Sequence, residues 1–186
     1  MFYWRSLLAT FFAGLFSSGL LMAGSVVSGP QVGDKIPGPF KPLNVTGAEA
    51  GQAACQYCKN GARPVAVVFA KEMTPALAQL IKKIDTATAT NKEAGLGSYV
   101  VVCSDAAGVD RQLLAVAQQA AIQNTVLTVY KAGGPEKYRI SPEADVTVLL
   151  YNHFTVKANH AFKNAELTEA AMNAVLADLG KMLADN

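Results

Sequence analysis

The sequence predicts a single α/β domain built on a mixed central sheet, and three observations carry that expectation. Two short apolar runs, at residues 65–70 and 99–103, contain no charge and read as strands buried on both faces. Helical spacing of apolar residues follows each run, so strand and helix alternate, as parallel pairing requires. Near the C-terminus, runs at 146–151 and 155–162 are separated by a turn short enough for an antiparallel hairpin.

The 186 residues have room for one domain with a sizeable core plus a targeting segment. Hydrophobic residues make up 51% and charged residues 16%, which argues against disorder. A net charge of +2 with scattered lysines excludes the basic stripe of a nucleic-acid binder. Lys82-Lys83, the one adjacent basic pair, reads as a solvated helix face.

Residues 1–25 have the composition of a signal peptide. Arg5 supplies a positive start, residues 6–22 carry no charge, and the small residues Ala23, Gly24 and Ser25 suit cleavage after Ala23 or Ser25. No cysteine stands there for a lipid anchor. The competing reading is an uncleaved anchor over residues 6–27, since an apolar run of about 20 residues can span a bilayer. Both readings deliver the domain across a membrane, to a periplasm or the cell exterior. Without the anchor the chain has no membrane contact.

Residues 26–39 include Pro30, Pro37 and Pro39 among several glycines and read as an extended lead-in to a domain over 40–186. A strand is expected at 40–45, and a long polar connection at 44–61. After the strand at 65–70, Thr74 and Pro75 open a helix whose buried face is Leu77, Leu80, Ile81 and Ile84. The strand at 99–103 follows. Asp110 is expected to cap a helix packing Leu113, Leu114, Ala117 and Ala121. Residues 126–130 form a strand, ended by the turn Gly133-Gly134-Pro135. Beyond the strand at 146–151, Asn152-His153 offers a tight turn into 155–162. Thr168 opens the last helix, with Leu167 and Met172 as a hydrophobic staple and Val175, Leu176, Leu179 and Leu183 buried.

That order resembles the thioredoxin fold, and its redoxin and peroxiredoxin relatives more closely, over residues 32–183. The phrase Val32-Gly33-Asp34-Lys35-Ile36-Pro37, then Phe40 and Leu43-Asn44-Val45-Thr46-Gly47, is similar to the start of many redoxin domains. Residues 138–157 look like the stretch holding the substrate-contacting loop and final hairpin of thioredoxins. The resemblance implies a thioredoxin-like three-layer α/β/α sandwich with a mixed central sheet. It also implies where cysteines should stand, and they do not stand there. After the first core strand come Lys71-Glu72-Met73-Thr74. Thr74 matches the threonine of peroxiredoxins, but Leu77 holds the place of the peroxidatic cysteine. No proline occupies Asp145-Val146-Thr147, where thioredoxins carry their cis-proline.

The pair that is present, Cys55-Gln56-Tyr57-Cys58, lies before the first core strand. A tyrosine ahead of the second cysteine is similar to the glutaredoxin motif. Three readings stay open. A redox dithiol is chemically apt, because one thiol can resolve a mixed disulfide on the other, and Lys59 and Arg63 are near enough in sequence to favour a thiolate. A structural disulfide would suit an oxidising compartment. A metal site needs four ligands at matching spacing, and the remaining Cys103, His153 and His160 show none. Cys103 ends an apolar strand and reads as a small buried hydrophobe, although carboxyl strand ends are where α/β sheets gather their sites. His153 and His160 read as turn and rim residues, and Asp105 shows no catalytic partner.

The sequence therefore points to an exported thioredoxin-like protein exchanging thiols and disulfides at Cys55 and Cys58, with protein or small-molecule thiols as partners. It points to no cofactor, metal or nucleic acid. By analogy with exposed first cysteines, Cys55 is the expected attacking thiol. The alternative is a non-catalytic binding module in which the pair is a structural disulfide. In both cases Cys103 is expected at the opposite edge of the sheet, roughly 20 Å away.

Overall fold

The computed structural model describes residues 26–185. The expected leader over 1–25, and the anchor over 6–27 for all but its last two residues, lie outside the described residues. Among the described residues, no helix is long and apolar enough to cross a membrane.

Among the described residues six strands form one sheet: β1 (Leu43–Asn44), β2 (Val65–Ala70), β3 (Gly97–Cys103), β4 (Val126–Tyr130), β5 (Val146–Asn152) and β6 (Thr155–Phe162). Their spatial order is β1-β4-β3-β2-β5-β6. β2, β3 and β4 are parallel, whereas β1, β5 and β6 pair antiparallel with their neighbours. The mixed sheet read from the sequence is the one observed. Among the described residues the α-helices are α1 (Gln56–Asn60), α2 (Pro75–Thr90), α3 (Val109–Gln119) and α4 (Glu169–Ala184).

Alternation along β2 divides the core. Ala66, Val68 and Ala70 face one side and join Leu77, Leu80, Ile81 and Ile84 of α2, Leu113 of α3, and Met172, Val175 and Leu179 of α4. Val65, Val67 and Phe69 face the other side, with Tyr99, Tyr138, Tyr151 and Ile36. The three layers thus differ in make. Two right-handed crossovers running in the same direction from β2 put α2 and α3 on one face, where α4 joins them. The second face is closed by the short α1, the 131–145 loop and the lead-in. Ser28 Oγ bonds Thr147 Oγ1 at 2.7 Å, and Asn159 Nδ2 donates to Ser28 O and Pro30 O at 2.8 Å each.

Several local expectations change. The strand at 40–45 shrinks to Leu43–Asn44. Pro42 has no N–H to give a ladder, and Thr46 Oγ1 takes the Leu127 N–H in place of a strand carbonyl. Asp110 sits in the first turn of α3, and Gly108 is the N-cap. The buried stripe of α3 is Val109, Leu113 and Ala117; one residue off this four-residue spacing, Leu114 is 44% exposed. Ala121 lies past the helix with φ 48°. The hairpin turn is His153-Phe154, because Asn152 still pairs with Thr155. On α4, Met182 is buried, while Leu176 and Leu183 are only partly so.

Candidate dithiol site

The polar connection before β2 contains a helix that its sequence did not announce. Five residues are too few to show apolar periodicity, and Cys55 is an unusual N-cap. In the structure Cys55 caps α1, and its Sγ accepts the Cys58 N–H at 3.0 Å. Gly61 ends the helix at φ 58°, a conformation costly to a side chain, while its N–H bonds Tyr57 O at 3.0 Å.

Cys55 and Cys58 are joined in a disulfide, with Cα atoms 5.2 Å apart. Cys58 is exposed and Cys55 half-buried. Cys55, expected as the attacking thiol by analogy with exposed first cysteines, is thus the less exposed of the two, since it caps the helix and its sulfur accepts the Cys58 N–H.

A polar net fixes α1 independently of the disulfide. Gln56 Nε2 donates to Asn44 Oδ1 at 3.2 Å, and Asn60 Nδ2 donates to Gln56 O at 2.9 Å. Arg63 donates to Asn60 O and Lys59 O at 3.0 and 2.9 Å. Lys59 pairs with Glu49 at 2.7 Å. The Tyr57 ring packs on Phe154 of the hairpin turn, centroids 5.5 Å apart.

Cys103 is elsewhere. Gly97, at the amino end of β3, faces Asn60 of α1, and Cys103 lies six residues further along the same strand. At ~3.3 Å per residue that is roughly 20 Å. Cys103 is a free, buried thiol, and burial pushes its pKa up to about 12. It floors a cleft of about 390 Å³ with Phe69 and Ile140. At the cleft's mouth Lys71 bonds Asp145 at 2.9 Å. That bond, followed by the Asn164 N–H, holds the Asp145 carboxyl below its ordinary range. No cysteine stands in the segment directly after β2, residues 71–77, so this edge offers one neutral thiol and no partner for it.

The remaining candidates do not converge. His153 is exposed in the hairpin turn, and His160 Nε2 contacts Asp178 Oδ2 at 3.0 Å beside α4. Asp105 Oδ1 accepts the Ala132 N–H at 3.2 Å. Among the described residues, no group of three or more His, Cys, Asp or Glu could hold a metal ion.

No protein-family model and no curated protein matches the sequence. Solved structures do match. A protein assigned as the thiol:disulfide interchange protein DsbE of Chlorobium tepidum superposes with a TM-score of 0.58 at 18% identity, over 80% of this chain and 98% of that one. Peroxidoxin BcpB from Mycobacterium tuberculosis gives 0.58 at 15% identity, over 81% and 97%. The chain has the thioredoxin fold. A secreted M. tuberculosis disulfide oxidoreductase homologous to E. coli DsbE gives 0.55 at 9% identity, over 76% and 95%. At these identities the likeness is one of fold. In this thioredoxin-fold chain the cysteine pair stands at the amino edge of the parallel strands.

Gly97 ties that edge to the core. A Cβ there would overlap Asn60 Oδ1 and lie 2.8 Å from its Cγ. Gly97→Ala is therefore expected to displace Asn60, break its bond to Gln56 O and loosen α1, at a cost of about 1–3 kcal/mol for overpacking. Faster reduction of Cys55–Cys58 by dithiothreitol, relative to wild type, is the signature; an unchanged rate would show that Asn60 does not hold the pair.

Proposed function

We propose that this is an exported thiol–disulfide exchange protein whose working pair is Cys55 and Cys58. The observation that carries the reading is the exposed residue Cys58, bonded to a Cys55 sulfur that already receives a backbone N–H. An incoming thiolate attacks Cys58 Sγ and forms a bond to it. The Cys55–Cys58 bond breaks, and Cys55 departs as a thiolate to which the Cys58 N–H donates. A second substrate thiolate then attacks the substrate sulfur of the mixed disulfide and releases Cys58. Two substrate thiols become a disulfide, and the pair takes up their two electrons and two protons. The DsbE assignment of one fold neighbour agrees with this chemistry.

A purely structural role for the bridge is the weaker reading. It closes a four-residue loop, and chain entropy then stabilises by only about 2 kcal/mol. The Gln56 and Asn60 bonds hold the loop in any case. Export rests on the charge-free segment after Arg5 and on the bridge itself, which persists in oxidising compartments.

Equilibration with glutathione buffers tests the proposal. The expected potential lies above about −300 mV, the region below which structural disulfides resist glutathione. Cys58→Ser should abolish exchange, and Cys103→Ser should leave it intact. A pair that stays oxidised throughout the glutathione range, or exchange that survives Cys58→Ser, would refute it.

A further inference from the structure

The hairpin between β5 and β6 turns through His153 and Phe154, at φ 49° and 60°. Among the described residues no other two consecutive non-glycine residues have positive φ. A two-residue turn of this hand favours Asn-Gly, because a side chain with a Cβ is strained there. A bulky aromatic ring is an especially poor occupant. Strain of this kind persists only where surrounding contacts over-determine it, and three do so. His153 N–H bonds Ala62 O at 3.0 Å, Ile36 N–H bonds Phe154 O at 2.9 Å, and the Phe154 ring packs on Tyr57. Tyr57 is the residue before the exposed Cys58. Both rings are only half-buried, so they form an aromatic ledge on the segment that carries the disulfide. Three exposed residues flank the turn in the chain or through its bonds: His153 itself, Lys35, whose Nζ donates to Thr155 Oγ1 at 2.8 Å, and Arg63, which follows the Ala62 that bonds His153. Neither Arg63 nor Lys35 pairs with a carboxylate among the described residues, whereas Lys59 is already matched by Glu49.

We propose that the Tyr57–Phe154 ledge is the docking surface for the protein's thiol substrate, an extended peptide segment with an aromatic or large aliphatic residue next to its cysteine and acidic residues flanking it. The inference rests on the exchange chemistry assigned above. The apolar neighbour of the substrate cysteine lies on the two rings, which sets its sulfur against Cys58. The acidic flanks meet Arg63 and Lys35. Glycine at 154, the unstrained choice, would remove half of the ledge.

The variant Phe154→Asn tests this, since asparagine tolerates left-handed backbone and removes the ring; Phe154→Tyr restores it. Single-turnover reaction of the oxidised full chain is followed with two thiols, 2-mercaptoethanol and a synthetic peptide containing Glu-Phe-Cys-Glu. Phe154→Asn should slow the peptide about tenfold or more, the discrimination expected from loss of one well-packed aromatic contact. It should slow 2-mercaptoethanol less than about twofold, and Phe154→Tyr should recover the peptide rate. Equal slowing of both thiols would overturn the proposal, because Phe154 would then only position the disulfide. An unaffected peptide rate would overturn it too. Calorimetric binding of the same peptide with serine in place of cysteine separates this inference from the one beneath it. Phe154-dependent binding by a protein that exchanges with neither thiol would sustain the docking surface and sink the exchange function. Exchange without such binding would do the reverse.

Discussion

Asp85→Ala is expected to destabilise the protein by about 3–5 kcal/mol, the range for stripping a buried carboxylate from its partners. Asp85 lies on α2 and is 2% exposed. Its Oδ1 accepts the backbone N–H groups of Gln123, Asn124 and Thr125 at 3.0, 2.6 and 2.9 Å. Those donors lead the chain into β4, and without the carboxylate they lose their partner. Burial alone would raise the Asp85 carboxyl, but the three N–H groups and the Asn124 amide outweigh it and hold it below its ordinary range. The sign follows. A depressed folded-state pKa stabilises above the unfolded value, about 3.9 for aspartate, and that contribution is lost as pH falls through the folded value. Urea unfolding of wild type and Asp85→Asn should therefore show a wide gap at pH 7 that narrows toward pH 3. A gap of constant size would mean that the carboxylate charge contributes nothing.

Leu77→Ala is expected to cost about 2–5 kcal/mol while leaving thiol exchange per folded molecule unchanged. Leu77 is fully buried in the first turn of α2, among the side chains on the helix face of the sheet. Removing its branched end leaves a cavity that close-packed neighbours cannot fill. The position matters for function because Leu77 stands where the resemblance places a peroxidatic cysteine, and Thr74 caps the same turn through Leu77 N–H at 3.2 Å. Helix geometry at this edge is thus intact, but the side chain serves packing. The Cys55–Cys58 sulfurs lie at the other end of the strands. A matched loss of exchange and stability, after correction for folded fraction, would show that the carboxyl edge takes part after all.

Much of the framework was legible in the sequence. The strand at 65–70 falls where its continuous apolar run placed it, and the strand expected at 126–130 is there too. Thr74 and Thr168 cap their helices through Oγ1, as Thr-Pro and the Leu167–Met172 spacing implied. These signals are local: a cap, a proline at the first helical position and a buried run each act within a few residues. The separation of Cys103 from the pair was legible too, because right-handed crossovers fix which ends of the strands lie together. Asp85 was not. A single acidic residue on a helix looks like solvated surface until the chain brings backbone donors from nearly forty residues away.

The candidate site divides along the same line. The sequence alone determined that Cys55 and Cys58 are close enough to bond and that no cysteine opens the helix after β2, since both depend only on spacing and residue identity. It could not determine which cysteine is the more exposed, because a five-residue helix leaves no periodic signal and owes its form to distant partners. Asn44 holds Gln56, Gly97 makes room for Asn60, and Phe154 supports Tyr57 from almost a hundred residues away. Tertiary structure decided the exposure of Cys58, the strained turn and the aromatic ledge. Each is a property of segments that meet only when the sheet has formed, and no window of neighbouring residues encodes it.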